Sequence, residues 1–231
     1  MAEPARKRQR RNFTDPLCVY VGAEKKQYTV HEAEITKTSR FFASATNGKW
    51  EEVTKNGIVL PDHEPITFEI YAEWLYSGDI VLDHDPPQTL QQSGIVLQQL
   101  MELYVLGQFL LDCSFKNAVV DKALEIIDSN SDCDLCPSVE ILTYLWSNVP
   151  PVCLMKDLIA GEWARTVEEG DIAAYGKGLS IDIFIDLARH LNSFGDDDVG
   201  PNFENRRTYH EHEDKAPQQW VPLFVHQRVH V

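Results

Sequence analysis

Segments with β-strand character are confined to the first 82 residues of this chain, and helical patterns fill most of the rest. Residues 17–21 and 27–30 are rich in apolar and β-branched side chains, and residues 22–26 between them predict the turn of a β-hairpin. Two further short strands are predicted over residues 58–60 and 79–82. Because the strands are grouped at the start instead of alternating with helices, this order predicts an α+β fold and not a doubly wound sheet.

Apolar residues at helical spacing predict the remaining elements. Ile66, Ile70 and Trp74 define one face of a helix that begins at Pro65 and is capped by Gly78. A short helix is expected from Ser39 to a stop at Asn47 and Gly48. Later helices are predicted from residue 95, over 114–128, before and after Pro150-Pro151, and after the candidate N-cap Ser180.

Charge is distributed unevenly. The chain has 36 acidic and 21 basic side chains and a formal charge of −15, yet its first eleven residues carry +4, which leaves −19 for the remainder. An acidic body of this kind repels phosphate backbones, so nucleic acid is not expected as a direct partner. The basic patch Lys7, Arg8, Arg10 and Arg11 has two readings, a nuclear-import signal or a solubilising arm.

Neither a membrane segment nor a disulfide framework is indicated. No apolar stretch reaches the roughly 18 residues that a membrane helix needs, and the first thirty residues lack a signal-peptide core, so we expect an intracellular protein with no membrane partner. Five cysteines are too few and uneven for secreted disulfides. Cys133 and Cys136 have zinc-knuckle spacing, with His210 and His212 as the other conceivable ligands, but reduced thiols and no metal are favoured.

Signatures of catalysis are missing from the sequence. It has no glycine-rich phosphate loop, nucleophile elbow or metal-binding helix motif. The carboxylates at 83–85 and 196–198 belong to polar segments, where exposure to water is not expected to shift the pKa of an acid. We therefore expect no catalytic residue, no cofactor and no enzyme activity.

The ordered set of motifs resembles the BTB/POZ domain, and in particular the single-domain BTB proteins of fungi. The matching pieces are Val19-Tyr-Val-Gly22, Tyr28-Thr-Val-His31, Ile35, Ser39, Phe41-Phe42, Gly48-Lys-Trp-Glu-Glu52, Ile58-Val-Leu-Pro-Asp62, Phe68, Trp74-Leu-Tyr-Ser-Gly78, Leu103-Tyr-Val-Leu106 and Phe109-Leu110. The resemblance implies a fold of short strands flanked by a helical cluster. It also implies structural roles for His31, Ser39, Phe41, Phe42, Trp74 and Tyr76.

BTB domains bind other proteins, and the resemblance implies two partner surfaces. Asp15 falls where the family often keeps a dimer-interface aspartate, although Pro16 and the basic segment before it differ from the family pattern. Trp50 and Glu52 fall where many family members present a hydrophobic-x-Glu triplet to a cullin. An exposed aromatic anchor and a hydrogen-bonding carboxylate suit such an interface.

The sequence therefore predicts a four-part chain. Residues 1–12 form a disordered basic tail, 13–128 a BTB/POZ domain, 129–194 an accessory helical region, and 195–231 a polar tail expected to be flexible. The function expected is a substrate adaptor of a cullin-RING ubiquitin ligase. The alternative is a self-associating, dimeric scaffold in nuclear or transcriptional regulation. Localisation is expected to be nuclear or nucleocytoplasmic, and otherwise cytoplasmic.

Overall fold

The structure is a computed structural model, and it describes residues 15–47, 57–85, 87, 89–129, 137–166, 178–193 and 209–211. Mixed α and β elements make up these residues, which confirms the predicted α+β class. In chain order the elements are β1 (Pro16–Val21), β2 (Lys26–His31), α1 (Glu32–Thr38), α2 (Arg40–Thr46), β3 (Ile58–Leu60), α3 (Pro65–Ser77), α4 (Leu90–Phe109), α5 (Cys113–Ser129), α6 (Val139–Asn148), α7 (Leu154–Thr166) and α8 (Ile181–Ser193).

The three described strands form one small sheet in the order β2-β1-β3. β1 pairs antiparallel with β2, which confirms the predicted hairpin, and parallel with β3, with Val19 opposite Ile58. Successive side chains of a strand point to opposite faces. Accordingly Leu17, Val19 and Val21 are buried, whereas the residues between them are partly exposed. The central strand thus anchors the sheet on the helical core.

Helix ends follow the local signals of the sequence. α3 begins with Pro65 and ends at Gly78, whose φ of +84° lets its N–H bond to the Trp74 carbonyl at 2.8 Å. α4 begins at Leu90, five residues earlier than expected, because the Thr89 hydroxyl accepts the N–H of Gln92 at 3.2 Å. Because the first turn of α4 is rich in glutamine, the apolar pattern of the sequence did not predict this start.

One sequence prediction was wrong in this part of the fold, and one helix was not predicted. Residues 79–82 form no strand, and only Ile80 and Leu82 are buried there. The backbone that follows is held by the Gln99 side chain instead. The Gln99 amide donates to the Asp83 carboxylate at 2.8 Å, and its oxygen accepts the Asp83 backbone N–H at 3.4 Å. Helix α1 was missed because it is only seven residues long, buries a single residue, Ile35, and begins without a side-chain cap.

A single cluster of buried side chains joins the sheet, α3–α5 and the later helices. α6 packs against α4, and α8 packs against α7. The Trp146 indole N–H donates to Asp186 at 2.9 Å and so links α6 to α8. Lys156, which is 4% exposed, donates to the Trp146 and Val149 carbonyls at the end of α6. A cation at this end satisfies unpaired carbonyls and the helix dipole.

Candidate functional site

Several of the residues predicted to bind partners lie outside the described residues. These are Trp50, Glu52, Lys7, Arg8, Arg10 and Arg11, together with Cys133, Cys136 and His212 of the zinc alternative. Asp15 is described, is exposed, and precedes β1. Its backbone carbonyl accepts the Glu32 N–H at 3.0 Å, which fixes the start of the sheet beside α1.

His31 and Tyr76 are in direct contact. The Tyr76 hydroxyl accepts the backbone N–H of His31 at 3.0 Å and lies 2.9 Å from its Nδ1. The two rings meet edge to face, with centroids 5.7 Å apart. These contacts hold the end of β2 against the last turn of α3, so the geometry gives His31 a structural position.

Ser39 connects α2 to the end of α4. Its buried hydroxyl accepts the Phe42 N–H at 3.3 Å, as an N-cap does, and donates to the Leu110 carbonyl at 2.8 Å. The same carbonyl accepts the Phe41 N–H at 3.2 Å. Phe42 is fully buried, and the Phe41 ring packs against Phe109 with centroids 5.1 Å apart.

Trp74 belongs to an aromatic group on the inner side of α3. Its ring stacks on Tyr71 at 5.9 Å and contacts Phe115 at 4.9 Å. The Tyr71 and Phe115 rings in turn meet edge to face at 4.7 Å. Tyr71 and Phe115 are fully buried and each contribute roughly 1.5–3 kcal/mol to folding, whereas Trp74 is partly buried and packs against them.

Asp112 is the main site residue that the sequence reasoning missed. Its carboxylate is fully buried and accepts hydrogen bonds from the Thr38 hydroxyl at 2.6 Å, the Tyr71 hydroxyl at 3.1 Å and the Phe115 N–H at 2.9 Å. Burial raises the pKa of Asp112, and the three donors oppose that rise. An aspartate one residue before α5 is a recognisable N-cap signal that could have identified it.

An acidic cleft opens between the start of α3, the middle of α4, and α6. It has a volume of about 180 Å³ and is lined by Asp62, His63, Glu64, Thr67, Glu102 and Tyr144. Glu102 is held in place by the Thr67 hydroxyl at 3.2 Å and the Gln98 amide at 2.8 Å. We refer to these six lining residues as the acidic cleft.

The environment of the cleft shifts the pKa values of two of its side chains. Burial against the Phe109 ring, whose centroid is 4.8 Å away, lowers the pKa of His63 to about 4, although the nearby Asp62 charge opposes this. Burial, and then the charges of Glu102 and Glu64, raise the pKa of Tyr144 to about 12. At neutral pH the His63 imidazole is therefore neutral and the Tyr144 phenol keeps its proton.

This arrangement suits recognition of a cation better than proton transfer. Asp62, Glu64 and Glu102 can attract a lysine or arginine side chain of a bound protein segment. In the described part of the chain, no three His, Cys, Asp or Glu side chains converge to hold a metal ion. His210, considered above as a zinc ligand, instead contacts Asp121 on α5 at 2.8 Å.

Comparison with known proteins gives no assignment. No family model matches this chain, and no curated protein sequence matches it at a significant level. Among the described residues, no helix combines the length and apolar composition needed to cross a membrane.

Proposed function

We propose that this chain is a non-enzymatic protein-interaction module of the BTB/POZ type, and that it acts as a substrate adaptor of a cullin-RING ubiquitin ligase. The proposal is carried by one observation, that motif residues far apart in sequence contact each other. His31 bonds to Tyr76 across 45 positions, and Ser39 bonds to Leu110 across 71 positions. Such contacts are expected if the ordered motifs belong to one domain type.

The cullin part of the proposal rests on Trp50 and Glu52. These residues lie in the segment that joins α2, which ends at Thr46, to Gly57 before β3. An aromatic anchor with a neighbouring carboxylate is typical of protein interfaces. The acidic cleft adds a second surface that suits a protein partner, because it offers carboxylates to a basic segment.

A self-associating nuclear scaffold is the second candidate function. It is favoured by exposed apolar side chains on α8, where Ile181 is 72% and Ile185 is 45% exposed. They are four residues apart on one helix and therefore lie on the same face. The exposed position of Asp15 is also compatible with a dimer interface, and the basic patch at Lys7 with nuclear import.

Affinity capture of the intact protein from its own host, followed by mass spectrometry, tests the two functions against each other. The adaptor function predicts a cullin scaffold among the captured proteins. Capture of this chain without a cullin, together with a concentration-dependent dimer of the purified protein, would favour the scaffold function over the adaptor function. A fusion of residues 1–12 to a fluorescent protein tests nuclear import separately, and a purely cytoplasmic signal would refute it.

A further inference from the structure

Residues 209–211 lie against α4 and α5, and they contact residues that are 89 to 107 positions earlier in the sequence. The Asn117 side chain binds both backbone groups of Glu211, since its Nδ2 donates to the Glu211 carbonyl at 2.9 Å and its Oδ1 accepts the Glu211 N–H at 2.7 Å. This paired contact recognises the backbone of Glu211 and not its side chain. Recognition of peptides commonly combines such backbone bonds with side-chain selection.

The Glu211 side chain is recognised by two groups of the helical body. One carboxylate oxygen contacts the Lys116 ammonium, and the other accepts a hydrogen bond from the Tyr104 hydroxyl. Lys116 is only 4% exposed, and its other contacts are the Gln108 amide oxygen at 2.8 Å and the Tyr104 ring at 5.7 Å. A buried ammonium is costly without an anion, so this position requires a carboxylate.

The remaining contacts extend the recognition over three residues. The His210 ring lies 2.8 Å from the Asp121 carboxylate, and the Tyr209 side chain packs against the core. Behind Glu211, the Cys153 thiol contacts the Tyr104 hydroxyl at 3.4 Å, so this hydroxyl is oriented from within the core. A backbone bond, an anion, an imidazole and an aromatic ring are therefore all accommodated.

We propose that Tyr104, Lys116, Asn117 and Asp121 form an acceptor site for a glutamate-containing peptide of a partner protein, and that residues 209–211 occupy this site in cis. The contacts join residues 89 to 107 positions apart, so no local chain geometry enforces them. The polar partners on the body select an acidic peptide by chemistry that a second protein can supply equally well. This proposal does not depend on the cullin function, because it concerns different residues.

Residues 209–211 have an advantage over a free peptide at the acceptor site, because they are covalently linked to it. A tethered segment competes at an effective concentration on the order of millimolar, so a free peptide of the same sequence binds the intact protein poorly. Weakening the tethered segment removes this competitor and leaves the acceptor side chains unchanged. Binding in trans should therefore increase when Glu211 or His210 is altered and decrease when Asn117 is altered.

The test uses a fluorescein-labelled peptide of residues 205–215 and the full chain, with binding followed by fluorescence anisotropy. Glu211→Arg opposes Lys116 with a like charge, and His210→Asp opposes Asp121, so each variant should bind the peptide at least tenfold more tightly than the wild type. Adding Asn117→Asp to Glu211→Arg should reverse the gain. Asn148→Asp is the matched control, because the Asn148 amide bonds within its own helix, to the Tyr144 carbonyl at 2.8 Å. Added to Glu211→Arg, Asn148→Asp should leave the increased peptide affinity unchanged.

Thermal melting of each variant establishes that the body is folded before binding is compared. A labelled peptide with glutamine at position 211 should bind the released variants at least tenfold more weakly than the native peptide. Equal binding of the native peptide to the wild type and both released variants would overturn the proposal. So would equal binding with and without Asn117→Asp, or a wild-type dimer that Glu211→Arg dissociates, because the segment would then act between two copies.

Discussion

Tyr71 donates a 3.1 Å hydrogen bond to the fully buried carboxylate of Asp112, 41 positions later in the chain. The Thr38 hydroxyl binds the same oxygen at 2.6 Å. Through these bonds one carboxylate joins the end of α1, the inner face of α3 and the first turn of α5. The expected interaction surfaces need these helices to be correctly packed, and the packing depends on the Asp112 hydrogen bonds.

Replacing Asp112 by alanine should therefore destabilise the whole body. The Thr38 and Tyr71 hydroxyls and the Phe115 N–H would lose their buried acceptor, at a cost of about 3 kcal/mol in the free energy of unfolding. Urea unfolding followed by circular dichroism measures this change. Asp128→Ala, at an exposed position of the same helix, is the matched control and should change the free energy by less than about 0.5 kcal/mol. Equal effects of the two variants would contradict the role given to Asp112.

His63 should make stability fall in mild acid. Its pKa is about 4 in the folded state, below the ordinary value of 6.5, so the folded protein binds its proton less readily than the unfolded chain. The stability from the neutral ring is present above pH 6.5 and is lost as the pH falls through 4, by up to about 3 kcal/mol. Urea unfolding at pH 7 and pH 4.5 measures the loss, which His63→Gln should reduce. An identical pH dependence in that variant would refute this prediction.

Two glycines should respond to alanine in opposite directions. Gly57 has a φ of +79°, and an added Cβ would lie 2.6 Å from the Tyr20 ring and 2.9 Å from the Cys18 carbonyl oxygen. Gly57→Ala should therefore cost about 2 kcal/mol or more. Gly94 lies in α4 with open space around its Cα, so Gly94→Ala should stabilise the protein by about 0.5–1 kcal/mol. Melting temperatures that shift in the same direction would contradict both assignments.

Removing the Tyr76 hydroxyl tests the contact with His31. Tyr76→Phe keeps the ring but leaves the His31 N–H and Nδ1 without this partner, so the free energy of unfolding should fall by about 1–2 kcal/mol. Tyr144→Phe, at a residue that lines the acidic cleft, provides the control and should have a smaller effect. Chemical denaturation of both variants in parallel gives the comparison.

The parts of the fold that were predictable are those with strong local signals. The hairpin followed from two β-prone runs around a turn, and α3 followed from Pro65, an apolar face and Gly78. Residues 79–82 had the composition of a strand, but no strand in the described part of the chain pairs with them. Composition cannot reveal that choice, since it is made by the tertiary structure.

The candidate sites were less predictable, for a physical reason. Asp112, the acidic cleft and the contacts of Glu211 each combine residues from separate elements, and no spacing in the sequence encodes their approach. His31 and Tyr76 were identified only through the resemblance, which gave them structural roles without pairing them. Asn117 and Lys116 belong to no motif, and the role proposed for them rests on their contacts with Glu211.

Capture of a recombinant cullin N-terminal domain by the purified chain tests the adaptor function most directly. The wild type should bind, Trp50→Ala and Glu52→Lys should lose at least tenfold in affinity, and all three proteins should melt at the same temperature. Glu24→Lys, the same charge reversal in the exposed turn between β1 and β2, should bind like the wild type. Equal binding by wild type and Glu52→Lys, or no binding by the wild type, would contradict a cullin-binding role for Trp50 and Glu52.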